Sequence, residues 1–315
     1  MKGVFYLKFS FRYWKPILVS LLLFFISFKM YKELKGINFD NLISYYNKVD
    51  STQLLYIIIF GSFAVSVLCF YDLLLKRTMR LKISNLKLFS VSYVINSFNN
   101  LLGLGGFIGA GARIYIYKPY FSSKSLLYKY VSLMLVSMLS GLSLLSYIVT
   151  FKYDDIQQVG MFSNSWSLIL VIAANVFLPI FILYTYIKPI EANKRLLGIK
   201  FTLISAIEFS CASILFHFIL MTLNVDISFV DTIMVFITAA IAGLVSMIPG
   251  GVGAFDIIVI LALSSLEVPK ELSVLSTLIY RVVYYFIPVL ISTVISLFHI
   301  GHIKKYLIAS FKQGD

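Results

Sequence analysis

The chain has 315 residues, of which 60% are hydrophobic and 13% charged, with a mean hydropathy of +0.91. Soluble domains are nearer half apolar and a quarter charged, so too little polar surface is left to cover a water-soluble particle of this size. The 27 Lys and Arg against 14 Asp and Glu give a formal +13, which in so apolar a chain reads as basic loops beside anionic headgroups, not as a nucleic-acid surface.

Apolar runs of a length suited to a bilayer core recur from end to end. The first, 16–30, follows Lys2, Lys8, Arg12 and Lys15 and carries no small-residue cleavage site, so it reads as a retained anchor. The second, 52–75, is followed by Lys76, Arg77, Arg80, Lys82 and Lys87 without an acid among them. A more polar stretch from Leu88 runs through Asn99-Asn100 into a glycine cluster. Further spans are expected at 126–150, 166–187, 201–223, 232–247, 254–266 and 273–299.

Loop charge orients these spans. The N-terminus, the 76–87 loop, the 113–129 segment and the 188–200 loop are net positive, whereas the 151–165 loop (Asp154, Asp155) and the 224–231 loop (Asp226, Asp231) are net negative. The positive-inside rule places the first group in the cytoplasm. That requires 88–117 to enter and return on one side. The expected architecture is an all-α polytopic membrane protein of about eight crossings plus one re-entrant hairpin of broken helices, built on inverted repeats, with both termini cytoplasmic. Residues 1–315 read as a single membrane domain, because the loops are all far shorter than the roughly 40–60 residues an independent soluble fold needs.

Metal and cofactor chemistry finds no support. Cys69 and Cys211 lie inside apolar runs, and His217, His299 and His302 have no H-E-x-x-H spacing. No cofactor is expected.

Two glycine clusters stand out. The first carries Gly105, Gly106, Gly109 and Gly111 and ends at Arg113; the second, Ile-Pro-Gly-Gly-Val-Gly-Ala-Phe-Asp, carries Gly250, Gly251 and Gly253 and ends at Asp256. Such glycine density, with Pro249, disfavours a straight helix. Paired broken segments in two halves of a membrane protein point to a substrate site between inverted repeats. Close helix packing through small residues, as in Gly105-x-x-x-Gly109, is the plainer alternative. Neither cluster fits G-x-G-x-x-G.

Few ionisable residues fall within the spans: Asp72, Glu208, Asp256 and Arg281. A charge at bilayer centre costs about 2.5–3.5 kcal/mol on insertion scales, so such residues face a cavity or one another. Glu208, far from either end of its span, reads as functional. Asp72 has a plain explanation in an i,i+4 pair with Lys76, and Arg281 in snorkelling or pairing with a carboxylate. Together the three carboxylates and two arginines suit a headgroup bearing one phosphate and one or two amines. Arg113 is expected on the phosphate, and Glu208 with Asp256 on the amine. Tyr284 and Tyr285 are candidates for the cavity wall.

The motifs Tyr71-Asp72, Ser92-Tyr-Val-Ile-Asn96, Gly105-Gly-Phe-Ile-Gly-Ala-Gly-Ala-Arg113, Ile248-Pro-Gly-Gly-Val-Gly-Ala-Phe-Asp256 and Tyr280-Arg281-x-x-Tyr-Tyr-x-x-Pro288 resemble the N-terminal membrane domain of the lysylphosphatidylglycerol synthase/flippase family, the multiple peptide resistance factors, most closely of the staphylococcal type. The resemblance implies a bacterial plasma-membrane protein that translocates aminoacylated, chiefly lysylated, phosphatidylglycerol and thereby confers resistance to cationic antimicrobial peptides. It carries the translocation roles to Asp72, Arg113, Glu208 and Asp256, with Arg281 added. The family's C-terminal aminoacyltransferase domain has no counterpart in these residues, so no catalytic residue is assigned and the chain is not expected to be catalytic alone. The alternatives are the membrane portion of a phosphatidylglycerol lysyltransferase, or an anchor or regulator of a separate synthase. The expected partners are an anionic or aminoacylated phospholipid, with a synthase domain in trans and a second copy of the chain as further candidates; direct nucleic-acid binding is not expected.

Overall fold

The computed structural model describes residues 38–102, 106–121, 123–152 and 165–297, with side chains from 171 onward in the last segment. The expected first span, Gly105, the Asp154-Asp155 loop and the C-terminal residues from 298 lie outside the described residues.

The described residues form helices joined by short turns. In chain order these are α1 (Phe39–Asn47), α2 (Ser51–Val67), α3 (Cys69–Met79), α4 (Asn85–Leu102), α5 (Phe107–Tyr117), α6 (Lys124–Phe151), α7 (Ser165–Ile187), α8 (Leu197–Thr222), α9 (Phe229–Val245), α10 (Ala254–Ser265) and α11 (Lys270–Arg281). Helix α11 continues through a π-helical stretch, Val282–Phe286, into a further helical segment, 287–297. The π turn precedes Pro288, which has no N–H to donate and whose ring crowds the preceding turn.

Among the described residues, four stretches are long and apolar enough to cross a membrane: Ser51–Met79, Lys124–Phe151, Ala192–Thr222 and Lys270–Leu297. They match the spans expected at 52–75, 126–150, 201–223 and 273–299. Their faces explain why. On α2, Ile57, Gly61, Ala64 and Val65 are buried against neighbouring helices, while Leu55, Ile59 and Phe63, spaced four apart, are exposed. A helix that is apolar on both its packed and its open face belongs in lipid.

The bundle is built around α8, which packs against α2, α6, α9 and α11. Small and hydroxylated residues permit its closest approach. Ser140 donates to Thr202 Oγ1 at 2.8 Å, Ser205 donates to the Met138 carbonyl at 2.7 Å, and a Cβ on Gly141 would fall 2.2 Å from the Ser205 carbonyl carbon. Where apolar surroundings give little drive to associate, such packing and interhelical hydrogen bonds hold helices together. The α6–α7 contact meets a further need. Pro179 lies inside α7 and denies the Asn175 carbonyl its usual partner. Tyr147 OH, from α6, donates to that carbonyl at 2.9 Å.

Helices α4 and α5 form a hairpin, as expected for 88–117. Helices α9 and α10 form a second one. At 12 residues, α10 is about 18 Å long, well short of a bilayer core of about 30 Å. The two tips meet: a Cβ on Gly250 would lie 3.4 Å from the Leu101 carbonyl and 3.6 Å from that of Asn100.

Candidate functional site

Each hairpin supplies one member of an arginine–aspartate pair. The first pair begins in α5, where Gly109, Arg113 and Tyr117 are spaced four apart and so share one face, all buried. Opposite them, Ser92 and Asn96 share a face of α4, and Asp72 comes from α3. The Arg113 guanidinium meets Asp72 in a fork, Nε to Oδ1 and Nη2 to Oδ2, both at 2.9 Å. Tyr117 OH donates to Oδ1 at 2.7 Å, and the Ser92 hydroxyl donates to Oδ2. Arg113 Nη2 also donates to Asn96 Oδ1 at 2.7 Å, and Asn96 Nδ2 donates to Ser92 Oγ at 3.1 Å. The Asp72 and Arg113 side chains are 0% and 1% exposed. Four donors on one carboxylate fill its acceptor positions.

Gly109 makes room for this cluster. Its N–H donates to Asn99 Oδ1 at 2.9 Å, and a Cβ there would lie 2.8 Å from that oxygen and 2.9 Å from Arg113 Nη1. Gly106 opens α5 at φ 84°, a conformation that side chains with a Cβ resist. Gly109 and Gly111, expected as helix breakers, instead lie within α5. Gly111 is exposed, with nothing within 4 Å of an added Cβ.

The second pair joins α10 to α11. Arg281 meets Asp256 through Nε to Oδ1 at 3.0 Å and Nη2 to Oδ2 at 3.1 Å. Asp256 Oδ2 also accepts from the Gly253 N–H at 2.8 Å, which caps the start of α10. The rest of the guanidinium turns to the glycine turn: Nη1 donates to the Gly250 carbonyl and Nη2, at 3.4 Å, to that of Gly251. Phe255 and Tyr285 rings lie 5.3 and 4.9 Å from its central carbon. Here Arg281 is 11% and Asp256 8% exposed.

Glu208 lies near the middle of α8. Its Oε2 accepts from Tyr71 OH at 2.9 Å. Tyr71 and Asp72 are consecutive on α3, so one helix positions a partner for Glu208 and the partner of Arg113.

Of the five charges singled out in the sequence, Asp72, Arg113 and Asp256 are buried and Glu208 and Arg281 partly buried, and the two arginine–aspartate pairs each form within their own half. Arg113 is bonded to Asp72 and Asp256 to Arg281. Asp72 turns to Arg113 and not to Lys76, whose ammonium meets Asn85. Tyr285 flanks Arg281, while Tyr284 stacks on Tyr280 with centroids 5.2 Å apart. Ser92, Asn96 and Tyr117 complete the first centre and were not singled out as site residues.

The model of the lysylphosphatidylglycerol synthase TM region matches residues 13–292. The chain belongs to that family. Two Staphylococcus aureus relatives, from strains MRSA252 and COL, are 40% and 39% identical over 294 residues, which is 93% of this chain. A Staphylococcus haemolyticus relative is 39% identical over 293 residues. All three are named phosphatidylglycerol lysyltransferase, and the chain spans 35% of the length of each. The all-helical architecture and the membrane location agree with membership.

Proposed function

We propose that the chain moves aminoacylated phosphatidylglycerol, in the first place the lysyl lipid, across the bacterial membrane, lowering the negative charge of the outer surface against cationic peptides. The observation that carries this reading is the Arg281–Asp256 centre. Its arginine is held by backbone carbonyls of a glycine turn at the junction of two broken hairpins. A lipid phosphate can replace those carbonyls as an acceptor for the guanidinium, since charge-assisted bonds are the stronger ones. Glu208, whose carboxylate is engaged by Tyr71, is then available to the lipid's ammonium. Arg113 and Asp72 hold the first hairpin in place and do not release. Both hairpins are re-entrant on this reading, entering from opposite sides, and both termini stay cytoplasmic.

The names of the relatives support a phospholipid ligand. They also support a second reading, in which the chain is the membrane part of a phosphatidylglycerol lysyltransferase. One experiment separates the two. The chain is expressed beside a separate synthase domain, and aminoacyl lipid is labelled by an impermeant amine reagent in the outer leaflet and measured in total. The translocation reading requires that Glu208→Gln and Asp256→Asn leave protein abundance and total lipid unchanged while outer-leaflet lipid falls. A fall in total lipid with an unchanged leaflet ratio would replace it with the synthase reading.

A further inference from the structure

A second charged feature lies away from the paired centres. The start of α8, its preceding 3₁₀ turn (Ala192–Lys194) and the end of α3 border a half-open cavity of about 260 Å³. Thr78, Asn193, Lys194, Arg195 and Lys200 line it. Three basic residues therefore border one small space, and no carboxylate lines it. The nearest acid in sequence, Glu191, accepts a hydrogen bond from Tyr130 OH at 2.7 Å. Helix α8 begins here without a side-chain cap at Leu196, so its first-turn N–H groups add partial positive charge. Thr78 brings the basic 76–87 loop to the same end as the basic 188–200 loop.

The rim is apolar on one side. Leu196 lines the cavity and is largely exposed, as is Tyr186, over whose ring the Arg195 guanidinium sits at 5.7 Å. A cationic pocket with an exposed apolar lip, at the end of a span, fits a group that is anionic at its head and apolar below it.

We infer that this cavity binds the phosphodiester of an anionic phospholipid without an amine, drawn from the leaflet on the basic side. Three cations and no acid favour such a headgroup over a zwitterionic one, and disfavour a lipid that carries an added ammonium. The site is separate from Glu208, which lies eight residues, about 12 Å, further along α8. It does not depend on translocation and would hold in a chain that moves no lipid.

The test uses the full chain purified in detergent, with dioleoyl phosphatidylglycerol and dioleoyl phosphatidylcholine supplied in equal amounts and retention read by native mass spectrometry. Phosphatidylglycerol should be retained at least tenfold over phosphatidylcholine. Each charge removed should weaken retention about fivefold, so that Lys194→Gln/Arg195→Gln/Lys200→Gln erases the preference, whereas Lys129→Gln, outside the cavity, preserves it. Inorganic phosphate in the millimolar range should displace little of it. Equal retention of the two lipids overturns the site, as does a triple variant that keeps the preference. Displacement by phosphate alone assigns the cavity to a free anion and overturns the lipid. If the triple variant is not recovered as a monodisperse peak, Lys200→Gln decides by the same fivefold criterion.

Discussion

The two arginine–aspartate pairs use the same fork and differ in what surrounds it. Around Asp72 and Arg113 the remaining partners are side chains from α4 and α5: Ser92, Asn96 and Tyr117. Around Asp256 and Arg281 they are backbone groups of a glycine turn, flanked by two rings. A side-chain shell built on regular helices is sealed and has one arrangement. A shell made of loop carbonyls can be exchanged for another acceptor without unfolding a helix. On the function proposed above, the first centre fixes a hairpin and the second takes the ligand.

Several measurements would break or sharpen this contrast. The largest effect is expected from Asp72→Ala, which strands a buried guanidinium. It should cost about 3–5 kcal/mol, read as a lowered thermal midpoint and a fall in membrane abundance. Asp72→Leu combined with Arg113→Met should recover most of it, because replacing a whole buried pair by apolar residues is often neutral. If the double variant is no better than the single one, the pair acts in more than packing.

Arg281→Lys keeps the charge but loses the fork. Losing one charge-assisted bond, about 1.5–3 kcal/mol, should lower outer-leaflet aminoacyl lipid ten- to hundredfold while abundance stays within about twofold. A collapse in abundance equal to that of Asp72→Ala would erase the distinction between the centres. Gly106→Ala should cost about 1–2 kcal/mol through its left-handed backbone. Gly111→Ala should be neutral or stabilising by up to about 1 kcal/mol; thermal unfolding of the two variants side by side tests whether the first glycine cluster breaks the helix at Gly106 alone.

Much of this was legible in the sequence, and the limits have physical causes. Spans such as 126–150 and 201–223 follow from a bilayer's demand for continuous apolar length, which is a local property. The charged residues followed from the cost of burying them. Their pairing did not, because Asp72 and Arg113 are 41 positions apart and hydropathy says nothing of which helix faces which. Ser92 and Asn96 entered only as part of a family motif, and Tyr117 not at all, because uncharged polar residues are cheap enough in a membrane to need no explanation. The signal that could have found them is spacing: Ser92 with Asn96, and Arg113 with Tyr117, are both i,i+4. Helix α1 was also missed. Asn38 caps it, accepting from the N–H groups of Asp40 and Asn41, but a search for long apolar runs passes over nine residues. Helices α9 and α10 were expected as the spans 232–247 and 254–266; that the second is only 12 residues long is a matter of where its helix starts and stops, which hydropathy alone does not register.

The π-helical stretch between Arg281 and Pro288 has a consequence for the evolution of this span. A π turn accommodates one residue more than an α turn would. Loss of a single residue within Val282–Phe286 would leave an ordinary α-helix with its flanking faces still aligned. The same loss elsewhere in Lys270–Leu297 would rotate everything beyond it by about 100°, turning buried positions such as Ser292 toward lipid. Length variation among descendants of this sequence should therefore concentrate in those five residues, and a one-residue deletion there should yield an inserted protein whose Arg281 no longer sits over Tyr285.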